Sequence, residues 1–189
     1  MELLNTYKPL FEETFGTLNA ERLGEIVYSI CSDYPQIKRE LLLEHVPLES
    51  GPLRALFLEG LAQESDPAML TSRQGLAVYR LCTALTARAY RLLMQEWDIL
   101  GAAAIHAMVV TAIEDFRCRI KDESGYLELA VDESFEQLDS LTRQIEPDEQ
   151  ETREKFIDLC LDAAVANPHN PPYEDRWRKL MDQVSTGTP

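Results

Sequence analysis

Along this chain apolar residues recur at spacings of three and four, the period of an α-helix, and nowhere in a sustained alternation of two. Behind Asn19, a favourable N-cap, Leu23, Ile26, Val27 and Ile30 stand at i, i+3, i+4 and i+7. Asp33-Tyr34-Pro35 ends that helix and starts another, which carries Ile37, Leu41 and Leu42 and stops before Pro47. Ser50-Gly51-Pro52 opens a helix with Leu53, Leu56, Phe57 and Leu61. Thr71 and Gln74 have the spacing of a capping box, and the helix they begin, with Leu81, Leu85, Leu92 and Leu93, is predicted to reach Trp97. A break at Asp98 to Gly101 precedes the most apolar stretch of the chain. There Ile105, Val109, Ala112, Ile113, Phe116 and Ile120 share one face, and Ala103, Ala104 and Ala107 offer a small-residue surface for close packing. This segment is predicted to be the central helix.

Beyond Ser124-Gly125 the pattern predicts a helix over about 126–145, with a stripe of Leu127, Val131, Phe135, Leu138 and Ile145. A turn at Glu146-Pro147-Asp148 leads to a helix ending near Ala166. "NPHNPP" reads as a rigid connector and "STGTP" as a mobile tail; between them Trp177, Leu180, Met181 and Val184 mark a last helix, anchored by Trp177. Pro9 to Phe15 would form a short first one. "YLELAV" (126–131) is the single place where a short strand could hide. The expectation is therefore an all-α, single-domain helical bundle of eight or nine helices over 1–189, with stacked antiparallel αα-hairpins as the variant arrangement. The alternative is a subdivision into a short-helix part, 1–66, and a long-helix bundle, 71–184. Two helix–proline–helix units echo each other, in "EIVYSICSDYPQIKREL" and "FIDLCLDAAVANPHNPPYEDRWRKL", but two units do not make a solenoid.

Composition narrows the function. A net charge of −15 opposes nonspecific binding to nucleic acid or to anionic lipid, where Lys and Arg must replace counterions. The N-terminal residues lack the basic and apolar regions of a signal peptide, and the apolar run 99–113 is short for a membrane span, so a cytoplasmic protein is expected. The four cysteines, Cys31, Cys82, Cys118 and Cys160, lie far apart and read as reduced, buried thiols. Arg117 and Arg119 flank Cys118 and would activate it if it were exposed, although sequence neighbours on a helix point apart.

Catalytic motifs are scarce. None of His45, His106 and His169 stands three residues after a Glu, as a carboxylate-bridged di-metal bundle requires, and the zinc spacings are missing too. There is no nucleophile elbow and no glycine-rich phosphate loop. His106 lies about 100° round the helix from Ile105, at the margin of the apolar stripe. It is expected to be neutral and structural, donating one hydrogen bond to a neighbouring helix. Tyr79, Tyr90 and Trp97 could line a pocket, but aromatic residues at such intervals usually fill core.

The positive signal is acidic. Residues 122–162 hold fourteen Asp and Glu against three Lys and Arg, which accounts for eleven of the fifteen net negative charges. Glu128, Asp132, Glu136 and Asp139 form one ladder; Glu151, Glu154, Asp158 and Asp162 form a second. Like charges at i, i+4 cost a few tenths of a kcal/mol each in an isolated helix. A solvated face that maintains solubility is the plainer account of them. The sharper expectation is a non-enzymatic binding or regulatory protein, without cofactor or metal. It would dock a basic or amphipathic protein partner on the surface of residues 126–162. The competing expectation is a helical bundle that holds a small molecule or cofactor in an internal site near His106, where an activity could reside.

Overall fold

The computed structural model describes residues 16, 18–45, 50–64, 71–117, 122–146, 148–166 and 171–186. Among the described residues eight α-helices run in chain order: α1 (Ala20–Asp33), α2 (Pro35–His45), α3 (Ser50–Glu64), α4 (Thr71–Arg91), α5 (Ile99–Arg117), α6 (Tyr126–Thr142), α7 (Gln150–Ala166) and α8 (Pro171–Thr186). A π-helical turn, Leu92–Glu96, extends α4. Among the described residues there is no strand, and the protein is all-α, a bundle-like arrangement of packed helix pairs. "YLELAV", the one candidate strand, is the first turns of α6. The expected helix over 9–15, the connector residues 167–170 and the C-terminal tail lie outside the described residues. Pro171 and Pro172 belong to the first turn of α8 rather than to the connector, where a fixed φ and a missing N–H suit a helix start.

The chain forms two compact units, residues 1–39 and 40–189. In the first, α1 begins as its sequence predicts: Asn19 Oδ1 accepts from the Arg22 N–H at 2.8 Å. It ends where the Tyr34 N–H donates to the Ile30 carbonyl at 2.9 Å. None of its residues is buried, and Val27 and Ile30 of its apolar stripe are exposed.

In the second unit α5 is the central helix, in contact with α3, α4, α6 and α7. Of its predicted stripe, Ile105, Val109, Ala112, Ile113 and Phe116 are buried and Ile120 lies outside the described residues; Leu127, Val131, Phe135 and Leu138 of α6 are buried too. By length and composition Ile99–Phe116 could cross a membrane, but 67% of that stretch is buried inside the protein, which accounts for its apolarity. Asp98 caps α5, its Oδ1 accepting from the Gly101 N–H at 2.8 Å. Asp122, three residues ahead of the N-cap Gly125, caps α6 from further out, accepting from the N–H groups of Tyr126 at 3.0 Å and Leu127 at 2.6 Å. Gly75 of α4 makes room for that cap, because a Cβ there would stand 2.5 Å from Asp122 Oδ1. Gly125, at φ 73°, turns the chain into α6 through the left-handed region.

The last helix is held by aromatic packing. Trp177, 2% exposed, lies 4.7 Å from the Phe135 ring centroid to centroid, and Tyr173 meets the same ring edge-on at 5.6 Å. Arg153 of α7 donates to the Val184 carbonyl, at 2.8 Å from Nε, and to the Ser185 carbonyl at 2.8 Å. These bonds satisfy carbonyls at the end of α8 that have no partner within the helix. Cys82 and Cys160 are buried thiols, Cys31 is half-buried, and Cys118 lies outside the described residues. Burial pushes the Cys160 thiol up to about 12 and raises that of Cys82 further.

Candidate functional site

Helices α6 and α7 make little contact with each other; each packs on α5 and on α8 instead. Helix α8 brings its own cations to the α6 ladder. Arg176 pairs with Asp132 at 2.6 Å, and its guanidinium lies 3.9 Å from the centroid of the Phe135 ring. Asp139 pairs with Arg143 on its own helix, accepts from Gln183 at 2.8 Å and lies 3.9 Å from Lys179. The Gln183 hydrogen bond and these two cations hold its carboxyl below the usual carboxylate range. Glu128 and Glu136 are exposed. Glu136 and Asp139 line a hollow with Arg143, Arg176 and Lys179, so charges of both signs meet there.

The α7 ladder is different. Glu151 pairs with Lys155 at 2.6 Å, and that hydrogen bond lowers its pKa. Glu154 accepts from Gln150 at 2.8 Å. Among the described residues no Lys or Arg pairs with Glu154, Asp158 or Asp162. At about 100° per residue, Glu154, Asp158, Leu161, Asp162 and Val165 fall within a sector of about 100°, opposite the buried Phe156, Cys160 and Ala163. Leu161 is 46% exposed and Val165 75% exposed. Asp162 also borders a groove of about 310 Å³ lined by Arg54 of α3, Ala104 and Ala107 of α5 and Ala163 of α7. This is the small-residue surface of α5, with α7 packed beside it. The spacing of the carboxylates does not reveal Leu161 and Val165; their sign in the sequence is two aliphatic side chains on the polar side of an amphipathic helix.

A second site lies around His106. A cavity of about 570 Å³ opens between α4, α5 and α6. Each helix contributes residues at helical spacing: Thr83, Thr86 and Tyr90 from α4, Ala102 and His106 from α5, Glu133, Gln137 and Leu141 from α6. Small side chains at the facing positions leave the space open. At one border Arg91 pairs with Glu44 at 3.0 Å. At another the Tyr79 hydroxyl donates to the Glu133 carboxylate at 3.0 and 3.2 Å. Burial and that neighbouring carboxylate raise the Tyr79 pKa.

His106 itself is 4% exposed, and desolvation pushes its imidazole down to about 4, so the ring is neutral. The hydrogen bond expected from it to a neighbouring helix is not made by Nδ1, which is buried without a partner. Nor do Tyr90 and Trp97 fill core, being 63% and 65% exposed; Tyr90 lines the cavity. Trp97 follows the π-helical turn at φ 53°, a left-handed conformation uncommon for so bulky a residue. Among the described residues no three His, Cys, Asp or Glu side chains converge as a metal site requires.

Compared with known proteins, the chain matches no protein-family model, no curated protein and no solved structure.

Proposed function

We propose that the protein is a binding module that docks a basic, amphipathic segment of another protein on the outer face of α7, without catalysing a reaction. One observation carries this reading: Glu154, Asp158 and Asp162 have no cation partner among the described residues and share one helical face with exposed Leu161 and Val165. Uncompensated carboxylates beside exposed aliphatic side chains are the complement of a helix that presents Lys or Arg around an apolar stripe. Aliphatic contacts would supply most of the affinity and the carboxylates the orientation and encounter rate. Glu128, Asp132, Glu136 and Asp139 of α6 would add to the long-range field, but Asp132 and Asp139 already have counterions in Arg176 and Arg143. A strongly negative surface of this kind favours a protein partner over nucleic acid or an anionic membrane.

The test is titration of a synthetic Lys/Leu amphipathic helix into the full chain. Binding should weaken by at least about tenfold between about 50 and 500 mM salt. Asp158→Lys with Asp162→Lys should weaken it by about tenfold or more at low salt, and Leu161→Ser with Val165→Ser by a similar factor. Binding insensitive to salt, or equal binding by these α7 variants, would refute the reading.

A further inference from the structure

We propose that the cavity between α4, α5 and α6 is a binding site for a small organic cation, a protonated amine carrying an apolar or aromatic body. Its ammonium would pair with Glu133 and its body would lie along Ala102, Leu141 and Tyr90, within reach of His106. The site stands independently of the docking face on α7.

Volume comes first. About 570 Å³ is within the range of small-molecule sites, roughly 300–1,000 Å³. Ala102, Leu93 and Leu141 supply apolar lining, and Tyr90 offers an aromatic ring. The unspent polar groups then set the ligand's chemistry. Arg91 is a cation at the border of the cavity, but its charge is engaged by Glu44 at 3.0 Å. Glu133 accepts only a neutral hydrogen bond, from Tyr79, and no Lys or Arg among the described residues pairs with it. The uncompensated charge of the cavity is therefore one carboxylate, which selects a cation over a neutral or anionic ligand. An ammonium also suits the face of the neighbouring Tyr90 ring.

His106 is the second, independent pointer. A buried polar atom without a hydrogen-bond partner is costly to keep, and a bound water or ligand is one of the few arrangements that satisfy it. Nδ1 of a residue 96% buried is such an atom, and its side chain lines this cavity. Desolvation holds the ring neutral, so it adds no positive charge to oppose an ammonium ligand. The ring can exchange one hydrogen bond with a second polar group on the ligand.

The test uses phenethylamine and tryptamine as cationic probes, with 2-phenylethanol and phenylacetate as neutral and anionic counterparts of the first. Calorimetric titration into the full chain is paired with the nuclear magnetic resonance signals of the His106 ring. Both ammonium probes should bind saturably and shift the His106 signals, and the neutral and anionic counterparts should bind at least about tenfold more weakly than phenethylamine. Glu133→Gln, a change at an exposed side chain, should weaken the ammonium probes about tenfold. Asp158→Asn with Asp162→Asn should leave them unchanged, which separates this site from general attraction to an acidic surface and from the docking face. Absence of saturable binding by both ammonium probes up to about 10 mM would overturn the proposal. Equal affinity for the three phenethyl compounds, or indifference to Glu133→Gln, would overturn it as well, and would leave His106 to be satisfied by water alone.

Discussion

His106 of α5 is 4% exposed and lines the cavity between α4, α5 and α6. Its position at the edge of an apolar stripe predicts a neutral core histidine with a hydrogen bond across to another helix. The neutral state agrees with its surroundings, but Nδ1 is buried without a partner beside a cavity. The neutral ring has a consequence for stability. The folded-state pKa, about 4, lies below the ordinary 6.5, so the unfolded chain takes up the proton first as pH falls. Stability tied to the neutral ring is complete above about pH 6.5 and declines toward pH 4, by about 1.4 kcal/mol per pH unit. Carboxylates titrate in the same window, so the informative quantity is the difference between the wild type and His106→Gln in denaturant unfolding. The stability advantage of the wild type should shrink by about 2–3 kcal/mol between about pH 7.5 and 4.5. A constant difference would show that His106 titrates alike in the folded and unfolded chain.

At the scale of elements, α8 decides which acidic residues are left open. Its apolar stripe, Trp177, Leu180, Met181 and Val184, is evident from spacing; Met181 is half-buried and the other three are buried. What spacing does not reveal is that docking this stripe on Phe135 carries Arg176 to Asp132, a residue 44 positions earlier. The α6 ladder thereby acquires cations from α8, whereas on the α7 ladder only Glu151 has a cation partner among the described residues, Lys155 of its own helix. Removing the anchor tests this. Trp177→Ala should cost about 3–5 kcal/mol in urea unfolding, and α8 amides should exchange faster than those of α5. A loss below about 1 kcal/mol would mean that the Arg153 bonds and the Arg176 contacts hold α8 without the indole.

For the molecule as a whole, a charge of −15 is a standing cost. Several carboxylates of α6 and α7 stand at i, i+4 with no cation between them, and the ion pairs that do exist are mostly exposed and weak. Screening should therefore relieve more repulsion than it removes attraction. Raising NaCl from about 20 to about 300 mM should raise Tm by about 3 °C, read by circular dichroism. A fall in Tm would show that the ion pairs outweigh the repulsion. Any affinity of the α7 face for a basic helix should move in the opposite direction over the same range.

Helicity, the principal helix breaks and most of the core were determined by the sequence alone. The stripes of α5 and α6 and the caps Asn19 and Asp98 depend on interactions within a few residues, and a helix's own periodicity states which of its faces is apolar. That information is angular and refers to one axis at a time. Tertiary structure alone decided which neighbour each face meets. It gave Asp132 its counterion, Arg176, and brought Lys179 to 3.9 Å from Asp139, while among the described residues Glu154, Asp158 and Asp162 have no cation partner. It turned Tyr90 and Trp97 outward, although their spacing suits core. It also aligned small residues of α4 and α5 with Glu133 and Gln137 of α6, so that three unremarkable stripes enclose a cavity at His106. A void belongs to no single helix; it exists only where the facing side chains of several are too small to fill the space between them.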